Sequence, residues 1–373
     1  MQPAAKRPRV DPTPAAGPSP SPSKKYSINV DSDLFKLIAK KFHGDSKILL
    51  SMAYSSSTWR SYESAWNCYA TFELESKTNS ELPISQSSLT NFISWCMYTR
   101  KLMSSSVQSY VNSLSSIHQL LGQDSSVFSS LITKAILRGT ENLETSRDQF
   151  KHTRKVFTLP LLKLLGHEIA KSNWPEDSKR VFWSCACVSF FGSFRIGELL
   201  AASKSTFDPS VTLLWGDVKL KDDSCMIHIK IPKSKKKEGE FVDLFNFPDS
   251  TVCPVKGLIS LQKFNLYKDD KKPVFLFANG TLLTPSVFND TIRSLLKVHV
   301  GNEARNFSSH SLRAAIPSAL AKKPELQNST DIKGWGRWDS DCYTRYTRLH
   351  LERKKAIFSK ICTLFSTQAC RSP

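Results

Sequence analysis

An arginine that breaks into an apolar run is costly unless an anion meets its guanidinium. Arg195 does this within Gly192-Ser193-Phe194-Arg195-Ile196-Gly197-Glu198-Leu199-Leu200. Glu198, three residues on, is close enough to be its counter-ion or to orient it. Read alone, the pair is structural. A second group is the run Lys233-Ser234-Lys235-Lys236-Lys237, which lies between two strand-like segments and so rides a hairpin. A flexible ammonium there can reach an anionic backbone and give up a proton, or can simply be solvated. In His310-Ser311-Leu312-Arg313, the first and fourth residues share one face at the start of a helix. Both side chains are then expected to point at one phosphate, aided by the positive helix terminus. Last comes Gly336-Arg337-Trp338-Asp339, followed by Tyr343, Arg345, Tyr346 and Arg348. A phenol among cations can act as a nucleophile, or can be a surface aromatic.

The elements that would position these groups can be read from the same sequence. The chain has 373 residues with an apolar fraction of 40%, enough for two ordinary domains. Residues 1–25 are rich in Pro, Ala and Ser and are expected to be disordered. Their basic groups, Lys6-Arg7-Pro8-Arg9 and Lys24-Lys25, read as a nuclear localisation signal or as a solvated tail that adds DNA affinity. Residues 26–145 read as a helical bundle. Trp59, Tyr62, Trp66, Tyr69 and Phe72 recur at helical spacing, as do Val107, Tyr110, Val111, Leu114 and Ile117. A further helix is expected over 127–138, stopping before Gly139. The aromatic residues are read as core.

Residues 146–373 form the second expected domain, opening on a polar, charged linker. Thr158 and Pro160 begin a helix, since a capping hydroxyl and a first-turn proline suit an N-terminus. An apolar helical stretch leads to Arg195. Strands are predicted at 212–214, 217–220, 225–232 and 240–245, with a short pair around the turn dipeptide Asn279-Gly280. The fold class is therefore mostly α with one small antiparallel sheet.

Lys and Arg number 52 against 33 Asp and Glu, a formal charge of +19, which suits a polyanionic partner because phosphate neutralisation releases counterions. The nine cysteines show no CxxC or zinc-like spacing, so reduced, structural thiols are expected. No secretory leader is read, and the longest apolar run, residues 181–194, is too short to span a bilayer.

Taken in order, Arg, hairpin Lys, His-x-x-Arg, then Gly-Arg-Trp leading to Tyr resembles the tyrosine recombinase (phage integrase) family. Gly-Arg-Trp followed by Ser-Asp and a terminal Tyr most resembles its eukaryotic mobile-element branches, the Crypton and DIRS-like recombinases. The resemblance covers residues 158–365, and the upstream bundle looks like the family's core-binding (SAM-like) DNA-binding domain. It implies that Arg195, Lys235, His310, Arg313 and Tyr346 are catalytic, with Glu198 supporting. Lys233 or Lys236 is an alternative to Lys235, and Tyr343 to Tyr346. Where the family has His or Trp, nine residues before the tyrosine, stands Arg337, with Trp338 next. Either can donate to a phosphate oxygen, Arg337 by its guanidinium and Trp338 by its indole N–H. Lys233, Lys236, Lys237, Arg345 and Arg348 are expected on DNA.

The implied reaction cuts and rejoins double-stranded DNA through a 3′-phosphotyrosyl link, with no cofactor, metal or ATP. It also implies a homotetramer on paired sites, no membrane, a nuclear setting and a role in integration or excision of a mobile element. The amphipathic residues 357–365 fit docking on a neighbouring subunit or on their own core. Two further readings stay open: a type IB topoisomerase-like nicking and resealing enzyme, and a domesticated, catalytically inert DNA-binding protein.

Overall fold

A computed structural model describes residues 19–20, 32–77, 82–147, 155–230, 239–264, 269–321 and 329–337. The chain divides into two compact units, residues 24–151 and a second comprising 1–23 and 152–373.

The first unit is helical: α1 (Asp33–Ala39), α2 (Asp45–Met52), α3 (Ser56–Ser76), α4 (Gln86–Tyr98), α5 (Ser104–Leu120), α6 (Ser126–Ser129) and α7 (Leu131–Arg147). Serines start two of the long helices, because a hydroxyl can accept from the unpaired N–H groups of a first turn. Ser55 accepts from Thr58 N and Ser85 from Ser88 N. The predicted aromatic positions of α3 are core: Trp59, Tyr62, Tyr69 and Phe72 are buried against Phe92, Leu114 and Ile117. The expected stop at Gly139 is overturned, since α7 runs through it to Arg147. A helix-interior glycine costs only about 1 kcal/mol relative to alanine. Buried Leu137 and Thr140, with partly buried Leu143, continue the inward face across it.

The second unit contains β1 (Ser19–Pro20), α8 (Leu159–Lys171), α9 (Glu176–Phe191), α10 (Ile196–Leu199), β2 (Thr206–Phe207), β3 (Val218–Leu220), β4 (Ser224–Ile229), β5 (Glu240–Phe245), α11 (Pro254–Phe264), α12 (Pro285–Val300), α13 (Ser309–Arg313), α14 (Ala315–Leu320) and α15 (Ser329–Gly336). Helix α9 forms its axis: every side chain from Phe182 to Phe190 except Trp183 is buried. The sheet order is β3-β4-β5, antiparallel throughout, with Ile229 opposite Glu240. Along β4 burial alternates, so Cys225, Ile227 and Ile229 face the core, the period-two pattern of a half-buried strand.

Three local expectations are corrected. Residues 212–214 form no strand, only a bridge of Leu214 to Pro273. The pair around Asn279-Gly280 reduces to a single bridge, Leu276 to Leu282. In both places the bridge lies beside a turn, at 270–271 and at 278–279, and the pairing does not propagate. Within the segment expected to be disordered, Ser19–Pro20 pair in parallel with Thr206–Phe207. No helix among the described residues is long and apolar enough to cross a membrane.

Candidate active site

The site is built on the turn between α9 and α10. Helix α9 ends at Gly192, where a Cβ would stand 2.1 Å from the Phe194 ring, so only glycine allows Phe194 to fold back into the core. Ser193 follows with φ at +47°. A left-handed backbone costs a non-glycine residue about 1–2 kcal/mol, which is tolerated where surroundings over-determine it. Here the Ser193 carbonyl accepts from two guanidiniums, those of Arg313 and Arg337.

Arg195 precedes α10, and Glu198 reaches back to it. One carboxylate oxygen accepts the Arg195 backbone N–H at 2.8 Å, and the other accepts Arg195 Nη1 at 2.9 Å. The first oxygen also receives Arg337 Nη2 at 2.7 Å. With its side chain 2% exposed, Glu198 would be costly without these partners. Charge-assisted bonds to two arginines compensate it.

Arg313 arrives from the end of α13 and is 2% exposed. It donates to Ser193 O and, at 2.8 Å, to Gly336 O, so it ties the α9–α10 turn to the end of α15. Arg337 is the first residue past α15, in the left-handed region with φ at +55°. Its guanidinium lies 4.9 Å over the Phe194 ring, a cation–π contact, and its Nη1 is 3.5 Å from Glu240 Oε2. Trp335 fixes the same helix by donating to Phe191 O at 3.0 Å.

Three arginines distant in sequence therefore meet at one turn, Arg195 and Arg337 on the carboxylate of Glu198, Arg337 also beside Glu240, and Arg313 on backbone carbonyls. They differ in depth. Arg337's side chain is 6% exposed, whereas that of Arg195 is 37% exposed and held by Glu198 from behind. Of the three, Arg195 is the most exposed, and a planar guanidinium can meet two oxygens of one anion at once. His310, three residues before the buried Arg313, is exposed.

Lys233, Lys235, Lys236, Lys237, Trp338, Tyr343, Arg345, Tyr346 and Arg348 lie outside the described residues. The legs of the lysine-bearing hairpin are described, and Glu240 at its foot touches the cluster. Sequence reading missed Ser193, Phe194, Trp335, Gly336 and Glu240. Backbone carbonyls carry no sequence signal, but Glu240, opening a strand directly after a lysine run, was available to find.

The described architecture, mostly helical with a small three-stranded antiparallel sheet, is the tyrosine recombinase catalytic fold. Among solved structures, the XerH site-specific recombinase bound to palindromic difH substrate, a post-cleavage complex, is similar with a TM-score of 0.59 at 15% identity, covering 91% of each chain. The Tn1549 transposon integrase in complex with transposon right end DNA has a TM-score of 0.57 at 11% identity, over 88% of this chain and 99% of that one. At such identities the likeness establishes the fold. No sequence-family profile matches the chain, and no curated protein sequence matches it.

Proposed function

We propose that this protein is a site-specific DNA recombinase that cuts and rejoins double-stranded DNA through Tyr346. The observation that carries this is the convergence of Arg195, Arg313 and Arg337 on the Gly192–Arg195 turn, within a fold shared with XerH and the Tn1549 integrase. The basic composition, +19 overall, suits the same partner.

In this reading the Tyr346 oxygen attacks phosphorus, the new O–P bond forms, and the bond to the 5′-oxygen breaks. Negative charge grows on the non-bridging oxygens, and guanidiniums already held in place stabilise it without reorganising. Arg195 contacts the phosphate from its half-exposed position. Arg313 holds the turn and the end of α15 in register. His310 positions or accepts the phenolic proton, and Lys235 protonates the leaving 5′-oxygen. Lys233, Lys236, Lys237, Arg345 and Arg348 grip the flanking backbone, and Trp338 adds an indole donor. The phosphotyrosyl ester keeps the bond energy, so a second 5′-hydroxyl reverses the attack on a new strand without ATP. Residues 26–145 serve as the core-binding domain and 146–373 as the catalytic domain. A homotetramer on paired sites, a nuclear setting and a mobile-element origin of the Crypton/DIRS-like kind complete the proposal.

The test uses duplexes selected from a random pool for binding to the full-length protein, then nicked so that the cleaved fragment diffuses away. A denaturant-resistant protein–DNA adduct is expected, and Tyr346→Phe should abolish it. Binding without adduct would favour the inert descendant. Supercoil relaxation by a lone subunit, with no paired site, would favour the topoisomerase-like enzyme.

A further inference from the structure

We infer that the cleft between α8, α9 and α11 binds a small aryl anion, a planar aromatic body carrying one acidic group. This site is separate from the strand-transfer machinery and does not depend on it. The cleft lies along the first half of α9, whereas the arginine cluster gathers at the far end of that helix. From Ser184 to Gly192 the helix climbs eight residues, about 12 Å.

Glycines and one fixed ring shape the space. Helix α8 meets α9 at Gly166, where a Cβ would stand 2.7 Å from Cη2 of Trp183 and 3.0 and 3.1 Å from Cζ2 and Cζ3. Such near-equal distances put the helix backbone on the face of the indole rather than off its edge. Trp183 Nε1 donates to Thr251 O at 3.0 Å, which fixes the ring from a second side. From α11, Gly257 comes so close to α9 that a Cβ would be 3.3 Å from Ser184 Oγ, and that hydroxyl donates to Gly257 O at 2.8 Å. A cleft of about 570 Å³ remains, and the buried side chains of Ile169 and Val252 line it together with Trp183. Organic ligands occupy cavities of about 300–1,000 Å³ that are largely apolar, with a few polar groups to fix orientation.

The charge of the lining selects the ligand. It holds three cations, Lys163, Lys179 and Arg180, against one carboxylate, Glu176. Arg180 is half-buried on α9 and reaches across to α11, its Nη1 donating to Ser260 Oγ at 2.6 Å. That contact holds the guanidinium in the cleft, and its planar fork suits a carboxylate, sulfonate or phosphate. Lys179 Nζ lies between Glu176 Oε1 at 2.9 Å and Ala170 O at 3.2 Å. Lys163 Nζ meets Asp249 Oδ2, just outside the lining, at 2.6 Å. Both carboxylates reach solvent, where an ion pair contributes little, so an entering anion exchanges with them at small cost. A cationic ligand would meet the three positive groups instead. The aromatic body therefore packs on the Trp183 wall while its acidic group reaches Arg180 and Lys179.

Two probes of one shape test this on the full-length protein by titration calorimetry: naphthalene-2-sulfonate, and the uncharged naphthalene-2-sulfonamide. One saturable site per chain is expected, with the sulfonate bound about tenfold more tightly, the scale of one charge-assisted hydrogen bond. Arg180→Gln should abolish that preference, leaving the sulfonate with the sulfonamide's affinity. Lys179→Gln, which keeps the Arg180 contact to Ser260, should lose part of the same preference and serves where Arg180→Gln lowers stability. Ala170→Trp places a large ring at an exposed position on the cleft wall, so it should block both probes while the denaturation midpoint stays at the wild-type value. Equal affinity for the two probes overturns the assignment, and so does binding that Ala170→Trp leaves unchanged. Displacement of the sulfonate by duplex DNA would give the cleft to the DNA surface and overturn it as well.

Discussion

In the N-terminal unit a cluster of rings lies within an aliphatic interior. Trp59 meets Phe35, Tyr54 and Tyr62 edge-on at 5.9, 5.4 and 5.8 Å, and Phe92 packs on Tyr69 and Phe72 at 5.2 and 5.6 Å. Edge-to-face pairs add to the stabilisation from area burial, and the tyrosine hydroxyl at 69 finds Ser88 at 2.8 Å. In the C-terminal unit an apolar core around α9 sits beside buried charge: Glu198, Arg313 and Arg337. Apolar residues of similar volume would often stabilise such a place better than ions do. On the proposed function the charged interior serves to hold an anion, while the aromatic cluster is architecture. Breaking each should separate activity from stability.

The largest effect is expected in the charged interior. Arg313→Ala should reduce single-turnover DNA cleavage by about 100-fold, the scale of a misplaced reacting group, because it loosens the turn that carries Arg195. It also takes the guanidinium donor from the Gly336 carbonyl and leaves Ser193 O to Arg337 alone, at about 1–3 kcal/mol if Gly336 O stays dry, which a melting curve will register. Cleavage lost far beyond what that destabilisation explains would sharpen the contrast, whereas equal losses would break it.

Next comes the aromatic cluster. Trp59 is 1% exposed, and Trp59→Ala should destabilise the bundle by about 3–5 kcal/mol. Chemical denaturation should then show the bundle transition moving to lower denaturant while that of the C-terminal unit stays in place. A cleavage defect at temperatures where the variant remains folded would assign Trp59 a role beyond packing.

The smallest effect is a pH dependence confined to the bundle. His118 is fully buried, its Nε2 accepting Ile84 N at 3.1 Å and its Nδ1 facing Leu114 O at 2.8 Å. Burial holds its pKa below the ordinary value, which outweighs the help from the Leu114 carbonyl. The unfolded chain takes up that proton near pH 6.5, and the folded chain resists it. The stabilisation is therefore complete above about pH 6.5 and is lost as the pH falls through it. Denaturant midpoints measured from pH 8 to 5 should show this slope, and His118→Gln should flatten it. An unchanged slope in that variant would remove His118 from the account.

Much of the bundle was legible because its signals are local. The period of Trp59, Tyr62, Tyr69 and Phe72 needs only near neighbours to act, as do the serine caps that the structure shows at 55 and 85. Gly139 misled for the opposite reason: packing of Leu137 and Leu143 carried α7 past a residue whose intrinsic preference is to end it. The Thr212–Leu214 segment has strand-like residues but pairs through a single bridge, Leu214 to Pro273, and a strand needs a continuous partner as much as a propensity. In the site, Arg195 and Glu198 were legible as a pair, being three residues apart. The roles of Ser193 and Gly336 were not, since they act through carbonyls that every residue possesses.

By itself the amino-acid order determined the helical periods, the caps, the cationic excess and the succession of Arg195, the lysine run, Arg313 and Tyr346. Only the tertiary structure decided that Arg337 would be enclosed by Glu198, Glu240 and Phe194, and that Arg195 would stay half exposed. The physical reason is that burial belongs to segments brought together from far along the chain. A guanidinium's task depends on which acceptors enclose it and which of its nitrogens remain open to an anion.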